Sequence, residues 1–186
     1  MELYLVRHTT PEVAKGVCYG RAELDVCSSF ESELGAVRRK LDGVIPAVLY
    51  ASPQLRCTKL AEALGFGAPV YDPRLMELHF GEWELRSWDD IPRHEFDHWA
   101  DSYVEHAPPG GESFSALHSR ASDFLHEIKG ACGQILAVTH AGVIRALLAE
   151  AMNIPLTEAL HVHLDFGGVT QLLLDQGTAK VGYINR

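Results

Sequence analysis

Two arginines, two histidines and a glutamate carry the chemistry this chain could do. "LYLVRHTTPE" (residues 3–12) ends an apolar run on Arg7-His8. "ASPQLRCT" (51–58) carries Arg56, "RLMELHFGEWE" (74–84) carries Glu77, and "VTHAGVIR" (138–145) carries His140. Arginine offers forked hydrogen bonds that match phosphate oxygens. A neutral imidazole nitrogen can attack phosphorus and carry the phosphoryl group. Neighbouring arginine charge lowers the histidine pKa and keeps that nitrogen free near neutral pH. A carboxylic acid then protonates the departing oxygen. Arg7, His8, Arg56, His140 and Glu77 are thus a candidate phosphoryl-transfer set. Its positive charge comes from arginines, so it asks for no metal and no cofactor.

Such residues need rigid posts. Leu3 to Val6 reads as a short buried strand, as do roughly residues 47–51 and "QILAVTH" (134–140). Helical spacing follows in three places. Leu34, Val37 and Leu41 share a face in residues 28–43, with Ser28 or Ser29 as the cap. "QLRCTKLAEALG" (54–65) stops at Gly65, and "AGVIRALLAEAMN" (141–153) starts at the end of the third strand. Phe114, Leu117, Ala121, Phe124, Leu125 and Ile128 form the apolar stripe of a further helix. "APVYD" (68–72) is a short strand candidate. The tail from Leu160 predicts two or three strands, with Gly167-Gly168 and Gln176-Gly177 at turns and His161 and His163 on one strand face. Residues 72–115 are rich in Trp, His and acids and end near "PPGG". They read as an irregular, partly helical insertion lying over the site.

Alternating strands and helices predict an α/β protein. The expected architecture is a three-layer αβα sandwich with a mixed, mostly parallel sheet, as one domain over 1–186 with 72–115 as a cap-like insertion. In such sheets ligands bind at the carboxyl ends of strands. Three strand ends would bring Arg7-His8, Arg56 and His140 to one edge, where helix N-termini add partial positive charge.

Bulk properties narrow the partners. A formal charge of −9 gives no support to nucleic-acid or anionic-membrane binding. No stretch approaches the roughly 18 apolar residues of a membrane span, and "MELYLV" lacks the features of a secretory signal. Cys18, Cys27, Cys57 and Cys132 form no framework, which fits a reducing compartment. A cytoplasmic protein is expected; homodimer formation stays open. His94 and His98, four apart, lack a third ligand and read as an exposed helix face. His79 is a candidate at the site entrance, and Tyr19 at its rim. Trp83, Trp88 and Trp99 read as packing within the cap. Cys57 is expected near the pocket.

"LVRHTTP", "SPQLRCTKLA", "ELHFGEWE", "GGES" and "VTHAGVIRALL" together resemble the ordered motifs of the histidine phosphatase superfamily, the phosphoglycerate mutase-like fold. The resemblance implies that His8 becomes phosphohistidine, that Arg7 and Arg56 bind phosphate, that His140 stabilises the phosphoryl group and that Glu77 donates the proton. It adds Tyr19, Gly20, Ser113 and Ala141 as substrate-side residues. The superfamily usually has Arg-His-Gly-Glu where this chain has Arg-His-Thr-Thr-Pro. The Thr-x-Pro form, with Cys18-Tyr19-Gly20 and Leu24-Asp25-Val26, is similar to α-ribazole phosphatase-like members. A glycine is also usual where Leu85 stands. The implied activity is metal-independent hydrolysis of a small phosphomonoester, such as α-ribazole 5′-phosphate from cobalamin nucleotide-loop assembly, a sugar phosphate or a phosphoglycerate. The alternatives are a mutase, which a chain this short disfavours, and a silent phosphate-binding protein on the same fold.

Overall fold

β1 (Glu2–Arg7) lies inside a six-stranded sheet because only its two ends are charged and the four residues between them are uncharged and buried. Leu3, Tyr4, Leu5 and Val6 are all buried, the pattern of a strand covered on both faces. It pairs in parallel with β4 (Gln134–Thr139), from Glu2 opposite Gln134 to Arg7 opposite Thr139. On its other side it pairs antiparallel with β5 (Val169–Asp175). β2 (Val48–Ala51) runs parallel to β4, and β3 (Val70–Tyr71) parallel to β2. β6 (Thr178–Tyr183) closes the antiparallel edge. The order is β3-β2-β4-β1-β5-β6, the mixed, mostly parallel sheet expected. The computed structural model describes residues 1–175 and 178–186, so the predicted turn at Gln176-Gly177 lies outside the described residues.

The pleat sends alternate side chains into two cores. Tyr4, Val6, Leu136 and Val138 face Leu34 and Val37 of α1 (Phe30–Lys40) and Leu60 of α2 (Leu55–Leu64). Leu3, Leu5, Ile135 and Ala137 face the helices α4 (Phe114–Ile128) and α5 (Ala141–Met152) through Phe124, Leu125, Ile144 and Leu147. Each buried leucine contributes roughly 1.5–3 kcal/mol, so the sheet is held from both sides. α2 ends on Gly65 (φ 79°) and α5 on Asn153 (φ 54°), both left-handed caps.

Between β3 and α4 the chain forms three short 3-10 turns and the helix α3 (Arg93–Ala100). This segment has its own small core. Trp83, Cys18 and Ile91 are buried there, with Phe80, Trp88, Phe96 and Trp99 packed around them. The predicted packing role of the tryptophans fits this arrangement. Leu85, where the superfamily favours glycine, keeps a left-handed backbone (φ 64°) and is 62% exposed. A leucine in that region is sterically strained.

The tail differs from expectation. Residues 160–168 form no strand, so His161 and His163 share no strand face; His163 instead meets Asp165 at 2.8 Å. The backbone there has other partners. The Leu164 carbonyl accepts from Arg7 and the Val162 carbonyl from Arg145, so these groups are withdrawn from any ladder. α6 (Leu156–Ala159) precedes this loop. No helix among the described residues is long and apolar enough to cross a membrane.

Candidate active site

β1 delivers His8 and β4 delivers His140 to the same sheet edge, because the two strands are parallel and in register at Arg7 and Thr139. The rings lie edge to face with centroids 5.0 Å apart. Both are buried, as is Arg56 between them. Arg56 stands in the first turn of α2, where burying a guanidinium requires that its donors be met. It gives Nη2 to the Gly20 carbonyl at 2.7 Å and Nη1 to the Ala22 carbonyl at 3.0 Å. Its Nε points at His8 Nε2 at 3.3 Å, and Nη2 at His140 Nδ1 at 3.3 Å.

These contacts fix the tautomers. His8 Nδ1 lies 2.7 Å from the Thr9 carbonyl, which can only accept, so the proton sits on Nδ1. Nε2 keeps its lone pair, directed at Arg56. Burial, then the charges of Arg56 and Arg7, hold the His8 pKa well below its ordinary value. His140 has the opposite tautomer: Nδ1 accepts from Arg56, and Nε2 faces Ser52 Oγ at 2.9 Å. Burial lowers its pKa as well, followed by the His8 and Arg56 charges. Both imidazoles are therefore neutral near pH 7.

Arg7 gives Nη1 to the Leu164 carbonyl at 2.5 Å and stacks on Phe166, 3.8 Å from the ring centroid. Its Nε is buried without a partner, a donor available to an anion held beside His8. Tyr19 covers Arg56, 5.3 Å from guanidinium to ring centroid; burial raises its phenol pKa. Gly20 is demanded by space. A Cβ there would lie 2.6 Å from the Leu78 carbonyl, at φ 37°.

Glu77 is fixed at both ends. Its carbonyl accepts from Arg21 Nε and Arg120 Nη2, each at 3.1 Å. Its carboxylate accepts from Leu78 N at 2.9 Å and from Gly142 N, in the first turn of α5, at 3.2 Å. A helix N-terminus thus orients the carboxylate. Gly142 is the cradle, for a Cβ there would fall 2.2 Å from Glu77 Oε1.

The remaining predicted residues divide. Ala141 opens α5 directly after His140 and is buried. Ser113 caps α4, its hydroxyl accepting from Ala116 N at 3.2 Å; it makes no hydrogen bond to the histidine pair. His79 is part-exposed, 3.9 Å from Glu84. Cys57 lies 3.4 Å from His140 Nε2, beside the pair as expected, with a thiol pushed up by burial. His98 stacks on His106 rather than pairing with His94. No group of three His, Cys, Asp or Glu among the described residues could hold a metal.

Sequence reasoning missed Ser52, Gln54, Phe166 and Gly142. Gln54 joins two parts of the site, donating to the Gly20 carbonyl and accepting from Glu77 N. The signal for Ser52 and Gln54 was present, since polar residues directly after a buried strand sit at the ligand-binding edge.

A sequence profile described as the histidine phosphatase superfamily (branch 1) matches residues 3–186. The "Putative phosphoserine phosphatase 2" of Hydrogenobacter thermophilus is 31% identical, covering 99% of this chain and 95% of its own length. The adenosylcobalamin/alpha-ribazole phosphatase of Salmonella typhimurium is 25% identical, covering 100% and 96%. The crystal structure of the alpha-ribazole phosphatase from Shigella flexneri superposes with a TM-score of 0.89 at 24% identity, covering 100% of this chain and 96% of that one.

Proposed function

The chain belongs to the histidine phosphatase superfamily, and on that footing we propose that it is a phosphomonoesterase acting through phospho-His8. The observation that carries the reading is the His8 ring. Nδ1 is tied to the Thr9 carbonyl and Nε2 is an unprotonated, buried nucleophile among arginines. Nε2 attacks phosphorus in line while the bond to the substrate alcohol breaks. Arg7, Arg56 and His140 hold the equatorial oxygens, and Tyr19 and the backbone around Gly20 and Ala141 shape the rim. Glu77, in its acid form, gives its proton to the departing alkoxide. As a carboxylate it then takes a proton from the water that cleaves phospho-His8, releasing phosphate and restoring both groups. Arginines supply the positive charge, so no metal enters a step. Residues 1–186 form one catalytic domain with 72–115 as its cap, working in the cytoplasm.

Two substrates follow from the relatives, and both are phosphates of primary alcohols. The Thr-x-Pro and Cys-Tyr-Gly motifs support α-ribazole 5′-phosphate and a place in cobalamin nucleotide-loop assembly. The relative at 31% identity supports phosphoserine. The test is p-nitrophenyl phosphate hydrolysis in chelator, with vanadate as inhibitor, and rapid alkaline quenching with labelled substrate. Label on His8 and chelator-insensitive turnover are expected. Undiminished activity in His8→Ala sinks the mechanism, and loss of activity in chelator sinks metal independence.

A further inference from the structure

Arg145 is a cation whose fork is unfilled among the described residues. It stands one helical turn beyond Gly142 on α5 and is half-buried. Its one hydrogen bond among the described residues runs from Nε to the Val162 carbonyl at 3.1 Å. That leaves the two terminal nitrogens of the fork without a hydrogen-bond partner, and Arg145 belongs to no ion pair among the described residues. The Glu77 carboxylate lies near enough to favour its charge, but the two form no ion pair, and the Glu77 oxygens accept instead from Leu78 N and Gly142 N. Burying a guanidinium is costly unless an anion meets it, and burial lowers the pKa of this one.

The surroundings say where such an anion would come from. Arg145 and Glu77 line the same cavity of about 140 Å3, walled by Phe80, Trp99, Tyr103, Phe114 and Leu160. His8, Arg56 and His140 do not line it. Of the proposed catalytic residues only Glu77, the acid, lines it, which puts the cavity on the side of the group that Glu77 protonates. Its apolar walls would strengthen any charge pair formed inside. Its size suits a short carbon chain rather than a nucleoside, because drug-sized ligands need roughly 300 Å3 or more.

We infer that Arg145 receives a carboxylate borne by the alcohol part of the substrate, so that the preferred substrates are phosphorylated hydroxy acids of a few carbons. This rests on the phosphatase reading and chooses between its two substrates. It favours the phosphoserine kind over α-ribazole 5′-phosphate, whose leaving alcohol has no carboxylate.

The experiment compares kcat/KM for 3-phosphoglycerate and O-phosphoserine with that for glycerol 3-phosphate and α-ribazole 5′-phosphate, and uses p-nitrophenyl phosphate as a general reporter. Wild type should prefer the two acids over glycerol 3-phosphate by on the order of 10- to 100-fold, the range of a charge-assisted hydrogen-bonded pair. Arg145→Gln should collapse that ratio, and Arg145→Lys should restore part of it. No acid preference in wild type, a preference for α-ribazole 5′-phosphate, or an unchanged ratio in Arg145→Gln overturns the inference. The wild-type comparison decides even if a variant fails to fold. Turnover of p-nitrophenyl phosphate without acid preference defeats the inference alone. No turnover of any ester defeats the phosphatase reading and the inference with it.

Discussion

Replacing Gly142 with alanine separates stability from catalysis. Gly142 is helical, so alanine alone favours α5 by about 0.5–1 kcal/mol. The new Cβ, however, would sit 2.2 Å from Glu77 Oε1, 3.2 Å from Glu77 Cδ and 3.3 Å from Leu117 Cδ1. To regain ordinary contact the carboxylate must retreat by about 1 Å, a displacement that costs about 100-fold when it misplaces a catalytic group. Retreat also breaks the 3.2 Å bond from Gly142 N, and full loss of acid–base help costs about 10²–10⁴-fold. The assay pairs an alkyl phosphate with p-nitrophenyl phosphate. In the proposed mechanism the alkyl ester needs Glu77 in both steps, and it should slow by at least about 100-fold. The nitrophenolate leaves unaided, so phospho-His8 should form fast and hydrolyse slowly. A burst of one nitrophenolate per site followed by slow turnover is expected, with a melting temperature near wild type. Wild-type turnover of the alkyl ester by Gly142→Ala would refute the assignment of Glu77.

Two stability measurements complete the set. His8 and His140 are kept neutral when folded, so below pH 6.5 the unfolded chain binds protons that the folded chain refuses. Stability is full well above that pH and falls as pH drops, by at most about 3 kcal/mol at pH 5.5 for the pair; urea titrations at pH 7.5 and 5.5 read it, and a flat profile contradicts it. Leu85→Gly should raise stability by about 1 kcal/mol, because it relieves a left-handed leucine that is 62% exposed; a lower melting temperature counts against the strain.

The sheet and its sandwich were legible because the four residues Leu3 to Val6 are buried without alternation and the helices carry clear apolar stripes. The convergence of His8, Arg56 and His140 was legible because each follows a strand. What escaped was set by backbone partners. Residues 160–168 have an apolar, β-like composition, yet their carbonyls serve Arg7 and Arg145. Gly142 and Gln54 are unremarkable as letters and gain meaning only from the carboxylate and amide beside them. Ser113, expected on the substrate side, has its hydroxyl in a helix cap, a role its motif did not announce.

β1 also sets the order in which the molecule can assemble. Glu2 pairs with Gln134 and with Leu173, and the Met1 amine reaches the Leu174 carbonyl. β1 therefore waits for β4 and β5, which lie far along the chain. Until then an apolar segment with two open edges is exposed, a state prone to misassociation. Such distant pairing slows folding. A nascent chain halted before β4 would carry His8 but have no β4 strand to hold it in place.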